Sequence, residues 1–277
     1  MLGVIGDLLE DVVIHAAGPP ARGTDTAARI ERRRGGSAAN VAAAAALIGC
    51  AVRFIGRVGD DVLGEQLVAR LAGDGVEVRV QRRGRTGAVA VLVEPGGERT
   101  MFPDRAAAAE LEAIDPTWLD GVTWLHLTGY SLCSEPSGSA SVDAVSQVRG
   151  SGGRVSVDVS SASVIEAFGP ERFAATLEAV AADIVFANAA EARTLAGRPP
   201  GVFVVKDGPR PVVVTDTDGS VSQVEVPALP GPVSDTTGAG DAFAAGFIAV
   251  MLDGAAAVDA ARAGVAAAGL VLAGSGE

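Results

Sequence analysis

One short stretch, VSDTTGAGDAFAAGF (residues 233–247), sets two acids among small residues where an apolar helical run begins. Gly238, Ala239 and Gly240 let successive backbone N–H groups turn toward one point with no side chain in the way. A helix N-terminus attracts anions for the same reason. Asp241 therefore stands beside a turn suited to an anion, although an ordinary N-cap explains a lone GAGD equally well. A dinucleotide fingerprint fails here, because its third glycine would be Phe243. A P-loop fails too, since the only lysine, Lys206, follows Val205 rather than a glycine.

Two further motifs carry polar residues at helix starts. RGGSAANVAAAAALIG (residues 34–49) places Gly35, Gly36 and Asn40 where a loop enters a helix. The Asn40 amide is either a buried cap or a paired donor and acceptor for a polar ligand. NAAEA sets Asn188 and Glu191 three apart, on one face of a helix start. Alone, that pair reads as well as a cap and a solvated acid as it does as a site.

Composition limits what these motifs can serve. The chain has 277 residues, 48% of them hydrophobic, enough for a large α/β domain. A formal charge of −12 argues against non-specific binding to nucleic acid or to an anionic membrane. The longest apolar run, VAAAAALIGCAV, reaches about half a membrane span. Asp7 comes too early for a signal peptide. A cytoplasmic protein is expected. Cys50 and Cys133 read as two separate buried thiols, not as a disulfide or metal framework.

The elements that must position the motifs follow from periodicity. MLGVIGD opens with a strand, Val41–Ile48 and residues 61–72 read as helices, and AVRFIG as a strand between them. VEVRVQ, GAVAVLVE and RTMF follow at the tight spacing of an antiparallel ribbon. Beyond Ile114 the buried-strand candidates TWLHLTG, GRVSVDV, DIVFAN and GVFVVKD alternate with helical stretches near 137–149, 164–181 and 189–196. A hairpin-like pair, PVVVTD and VSQVEVP, and two alanine-rich helices complete the chain. This alternation predicts a doubly wound, mostly parallel sheet with helices on both faces. The early strands form a small β-sheet appendage.

Gly6–Asp11, GGSAAN, GRVGDDVLG, the ribbon, NAAEA, VVKDG and DTTGAGDAF occur in that order. The whole chain thus resembles the ribokinase-like (PfkB) family of carbohydrate and nucleoside kinases. The resemblance implies one kinase domain over residues 1–277, with lid segments at about 11–36 and 78–104. It implies transfer of the γ-phosphoryl group of ATP to a primary hydroxyl of a small sugar of the ribose, fructose or 2-keto-3-deoxy sugar acid class. Asp241 would be the base, with the N–H groups of Gly238, Ala239 and Gly240 as an anion hole. Asn188, Lys206, Gly208 and Gly240 would line the nucleotide, and Glu191 would order Mg²⁺ through water. The KDGPRP sequence departs from the usual loop after Gly208. Asp235 and Thr237 match a K⁺ site of potassium-activated members.

On the sugar side the resemblance implies Asp11, Gly35, Gly36 and Asn40, with Asp7 less specific because it directly follows Gly6. Arg105, in MFPDRAAAAEL, matches an arginine that sugar-acid kinases offer to a carboxylate. Phe102 and Pro103 replace the tyrosine usual nearby, and DVSSAS lacks a second arginine, so a solvated hinge arginine is the favoured reading. His15 and His126 read as lid-surface and strand residues. In many relatives the lid is also the dimer interface, which makes a homodimer an expectation. The competing readings are a nucleoside (adenosine-type) kinase and a non-catalytic sugar-binding protein on the same fold.

Overall fold

The protein is described by a computed structural model over residues 1–95, 98–229 and 236–274. Its strands are β1 (Leu2–Ile5), β2 (Leu9–Ala16), β3 (Ala28–Gly35), β4 (Val52–Val58), β5 (Glu77–Arg82), β6 (Ala88–Val93) and β7 (Arg99–Asp104). They continue as β8 (Trp124–Thr128), β9 (Arg154–Asp158), β10 (Ile184–Asn188), β11 (Val202–Asp207), β12 (Arg210–Thr215) and β13 (Val221–Val224). The helices are α1 (Ser37–Leu47), α2 (Val62–Gly73), α3 (Gly129–Leu132), α4 (Ser137–Gly150) and α5 (Ala162–Phe168). After them come α6 (Pro170–Ala179), α7 (Ala189–Thr194), α8 (Ala239–Leu252) and α9 (Ala257–Gly274).

Among the described residues nine strands form one sheet in the order β13-β12-β11-β10-β9-β8-β1-β4-β5. From β5 to β11 the neighbours run parallel, and β12 and β13 add an antiparallel edge. The central strands are apolar on both faces because both are covered. In β10, Ile184 and Phe186 join the core beneath α1, α8 and α9, while Val185 and Ala187 join the one beneath α4 and α6. Alanine lets α1, α8 and α9 approach closely. Among the described residues no helix is long and apolar enough to cross a membrane.

The smaller sheet has the order β3-β2-β6-β7 and is built from two excursions out of the large one. The first leaves after β1 and returns at α1, and the second leaves after β5. The expected ribbon is corrected here. VEVRVQ is β5, which pairs in parallel with β4 at the edge of the large sheet. Val78 and Val80 pack onto the core, and Arg53 ties Glu77 at 2.8 Å. The expected lid segment 78–104 therefore contributes only β6 and β7, an antiparallel pair, to the small sheet. The helix expected over 164–181 is two helices, divided where Gly169 takes φ 102° and Pro170 starts α6. Cys50 and Cys133 are free thiols, half-buried rather than buried.

Candidate active site

The carboxyl ends of the parallel strands deliver polar side chains to one edge of the large sheet, where ligands of open α/β sheets bind. Asp158 ends β9, Asn188 ends β10, and Lys206 lies near the end of β11. A cleft of about 1230 Å³ opens there, lined by these residues and by Glu191, Gly208 and the Gly238–Asp241 turn. Its far wall is apolar, with Val224, Val226, Leu229 and Leu272.

Asp241 lies in the first turn of α8, behind Gly238, which holds a left-handed φ of 80°. The first N–H groups of a helix have no partner within it, so this turn offers donors to the cleft. The Ala239 N–H is also shared with the Thr236 carbonyl at 3.3 Å. Two residues of α1 hold the Asp241 carboxylate: Ser37 Oγ donates to Oδ1 at 2.7 Å and Asn40 Nδ2 to Oδ2 at 3.0 Å. Burial pushes its pKa up to about 6, the bonds from Ser37 and Asn40 oppose the rise, and the Asp158 charge adds to it.

That geometry depends on how α1 begins. Gly36 takes φ 99°, and a Cβ there would stand 2.3 Å from the Asp7 carbonyl oxygen. The same carbonyl accepts the Ala39 N–H at 3.3 Å. At Gly35 a Cβ would lie 2.1 Å from Asp11 Oδ1. The glycine pair thus lets the helix start against the end of β1.

Lys206 sits at a register shift between β11 and β12 that falls between Val205 and Asp207. A bulge of this kind re-aims a side chain. The ammonium reaches Asp158 Oδ2 at 2.9 Å, and a Cβ built on Gly240 would be 3.3 Å from it. Asp158 gives its other oxygen to the Ser160 N–H at 2.8 Å, Ser160 having φ 71°. Burial is the largest influence on Lys206 and would lower its pKa, but the carboxylates of Asp158, Glu191 and Asp241 together outweigh it and the net shift is upward. Gly208 forms the tight turn into β12, where Arg210 pairs with Asp207 at 2.9 Å.

Asn188 caps α7 and Glu191 answers it, each side chain bonding the other's backbone N–H in a capping box. Asn188 Nδ2 also donates to Glu191 Oε1 at 2.6 Å. Glu191 is 5% exposed, and burial followed by the Asp158 charge holds its pKa well above the carboxylate range. Among the described residues no three acids or histidines converge on a metal-sized point. Two buried acids whose charges repel nevertheless fit Mg²⁺ held through water and nucleotide phosphates, since this ion retains several waters.

On the sugar side, Asp7 and Arg105 meet across the junction of the two sheets. Arg105 Nε and Nη2 donate to the two Asp7 oxygens, each at 2.6 Å, and Nη1 donates to the Tyr130 carbonyl at 3.0 Å. The Arg105 side chain is 18% exposed. The solvated-hinge reading of Arg105 is thereby corrected: the arginine is largely buried and engaged. The Tyr130 ring lies beside it, with its centroid 5.8 Å from the guanidinium. Asp11, 7% exposed on β2, pairs with Arg33 at 3.7 Å.

The structure brings Gly238–Asp241, Asn188, Glu191, Lys206 and Gly208 to one cleft, with Asn40 and Ser37 bonded to Asp241. Asp7, Asp11, Gly35, Gly36 and Arg105 cluster behind it, at the base of the small sheet. Thr237 Oγ1 accepts from Arg99 of β7 at 2.9 Å. Asp235 lies outside the described residues. Sequence reasoning missed Asp158, Ser37, Tyr130 and Arg34. For Asp158 a signal existed, an acid at the carboxyl end of a buried strand. Arg34 and Tyr130 carried none.

The profile of the pfkB family carbohydrate kinases matches residues 1–277. A fructokinase from Klebsiella pneumoniae is 32% identical over 267 residues, covering 89% of this chain and 82% of the relative. An adenosine kinase structure from Sinorhizobium meliloti superposes with a TM-score of 0.87 at 23% identity, covering 98% of this chain and 93% of that one. A structure described as a ribokinase II from E. coli, in complex with ATP and Mg²⁺, superposes with a TM-score of 0.83 at 24% identity, covering 98% and 92%.

Proposed function

This chain belongs to the pfkB family and is an ATP-dependent carbohydrate kinase, and from that premise we propose that Asp241 is the base that activates a primary hydroxyl of a small, neutral sugar. The observation that carries the proposal is the placement of Asp241. Its carboxylate is anchored by Ser37 and Asn40, lies beside the glycine turn, and has its pKa raised by burial toward neutrality.

The sugar hydroxyl loses its proton to Asp241 as its oxygen attacks the γ-phosphorus and the bond to ADP breaks. Charge spreading over the phosphoryl oxygens meets the N–H groups of the Gly238–Gly240 turn and the Lys206 ammonium. Asp158 holds Lys206 toward the turn. Glu191, steadied by Asn188, would hold Mg²⁺ through water, and the ion when bound neutralises phosphate charge. The apolar wall would take the adenine. Asp11 and Asn40 would meet sugar hydroxyls, with Gly35 leaving room for the Asp11 carboxylate and Gly36 for the Asp7 carbonyl against which α1 starts. Asp7 occupies the Nε–Nη2 edge of Arg105, which favours a neutral sugar over a sugar acid.

The small sheet, β2, β3, β6 and β7, acts as the lid that excludes water. Ile30, Met101 and Phe102, at least 55% exposed on its edge strands, support pairing of two chains there. ATP as donor fits a cytoplasmic reaction.

The test is ADP release from ATP and Mg²⁺ with ribose, fructose, 2-keto-3-deoxygluconate, fructose 6-phosphate and adenosine, using wild type and Asp241→Asn. Potassium, for which Asp235 and Thr237 are the expected ligands, is varied in the same assay. A neutral sugar should turn over, and the variant should lose about 10²–10⁴-fold in kcat. Near-normal turnover by the variant would remove Asp241 from the chemistry. Turnover of the sugar acid would bring Arg105 into the pocket, and turnover of adenosine would make this a nucleoside kinase. Silence throughout, with a sugar still raising the melting temperature, would make it a binding protein.

A further inference from the structure

We propose that Arg34 is a positioning residue for the phosphoryl transfer: it locks the Asn40 amide with its NH₂ group toward Asp241 and so favours the carboxylate form of the base. The inference rests on Asp241 being that base.

Three side chains form a directed chain. Arg34 Nη1 donates to Asn40 Oδ1 at 3.0 Å, and Asn40 Nδ2 donates to Asp241 Oδ2 at 3.0 Å. An amide presents a donor on one side and an acceptor on the other. Turning it over would set two donors face to face at Arg34 and two acceptors face to face at Asp241. Rotation therefore forfeits both bonds. A guanidinium cannot become an acceptor, because it carries only N–H groups and stays protonated. Arg34 thus removes one of the two orientations open to Asn40.

The orientation matters for proton transfer. A carboxylate wants donors, and a protonated carboxyl wants at least one acceptor. With Arg34 present, Asn40 can only donate, so the protonated form of Asp241 finds no acceptor there. With Arg34 absent, the amide can turn its carbonyl toward a protonated Asp241 and stabilise the inactive form.

Arg34 is built into the fold rather than draped over it. It stands near the end of β3, its side chain is 18% exposed, and its Nε lies 3.6 Å from Asp74 beyond α2. Burial depresses its pKa, and Asp74, Asp241 and Asp11 pull the other way. Asp241 itself is faced by Ser37 and Asn40 from α1, Asp158 from β9, Glu191 from α7 and Lys206 from β11. Ser37 Oγ can turn from donor to acceptor at Oδ1 in every variant, whereas at Oδ2 the polarity is set by the Asn40 amide, and Arg34 is the group that prevents that amide from turning over.

The experiment follows the ¹³C carboxyl signal of Asp241 through pH in ligand-free wild type, Arg34→Met and Arg34→Lys, with melting curves alongside. Methionine keeps the length and removes every donor. It should raise the Asp241 midpoint by about one unit, while lysine, which still can only donate, should stay near wild type. On the sugar that turns over, the acid limb of kcat/KM should move up by the same amount. The loss should be about tenfold at the acid end and small at pH 8, with the KM for ATP unchanged. A purely structural ion pair with Asp74 would lower the melting temperature and leave both midpoints in place, which would overturn the proposal. Where Met does not fold, Arg34→Gln replaces it, since an amide can face Asn40 either way, and the same rise is expected. If neither variant folds, Arg34 is structural and the proposal fails. Near-normal turnover in Asp241→Asn would instead sink the base assignment, whatever the titration shows.

Discussion

A carboxylate that must accept a proton near neutrality works better with a pKa above that of a free aspartate, and burial is the means used at Asp241. The cost falls on stability. Its pKa is raised from 3.8 to about 6, so the folded protein binds this proton more tightly than the unfolded chain does. The favourable contribution is full below about pH 4, and it is lost as the pH rises through 6. A shift of that size corresponds to about 3 kcal/mol at most. Ligand-free Asp241→Asn should therefore gain in melting temperature relative to wild type between pH 4 and 7, then hold a constant margin. Glu191 has the same sign, and because the Asp241 charge helps to raise its pKa, its own penalty shrinks in the variant and adds to the margin in the same direction. A margin that stays flat across this range would mean that Asp241 is not desolvated. The variant expected to lose turnover is thus also expected to be the more stable protein at neutral pH.

α1 and α8 are the two elements that make the base usable. α8 carries Asp241, and α1 supplies both of its donors from Ser37 and Asn40, in its first turn. How α1 is set depends on the close approach of Gly36 to the Asp7 carbonyl. Gly36→Ala must move that helix start or strain it, because the φ of 99° suits glycine and the added Cβ would lie 2.3 Å from backbone. The expected cost is about 1–3 kcal/mol in a urea titration. A fall in kcat should accompany it, larger than any change in the KM for ATP. Unchanged turnover would show that the α1 start can shift without disturbing Asn40. Lys206 shows the same dependence on elements, since the irregular pairing of β11 with β12 aims it at Asp158 and the Gly240 turn.

Across the whole molecule, the base of the small sheet is tied to the large one by Asp7 and Arg105. One follows β1 just before the chain enters the small sheet, and the other follows β7 just as the chain leaves it. Asp7 is 4% exposed, so removing its partner leaves an unpaired charge in the interior. Arg105→Met should cost about 3–5 kcal/mol, and adding Asp7→Asn should recover part of it. Urea titrations of the two single variants and the double variant measure this. A double variant no more stable than Arg105→Met would show that the loss comes from packing rather than from a stranded carboxylate.

The sequence by itself determined the fold class, the order of elements and most of the cleft. Period-two and period-3.6 patterns are local, and so are the turns that end strands and start helices. GAGD, NAAE and K-x-G could be read because each presents its chemistry within a few residues. What the tertiary structure decided were the partners that lie far apart in the chain. VEVRVQ has a strand pattern but nothing in it says which strand it joins, and its pairing with β4 took it out of the small sheet. Arg105 looked like a surface arginine because its ligands, Asp7 and Tyr130, lie 98 and 25 residues away. Asp241 finds its donors more than 200 residues back, at separations of 204 and 201. The pKa values that give these groups their chemistry come from burial and from neighbouring charge. Both are properties of packed surfaces, which no local run of residues encodes.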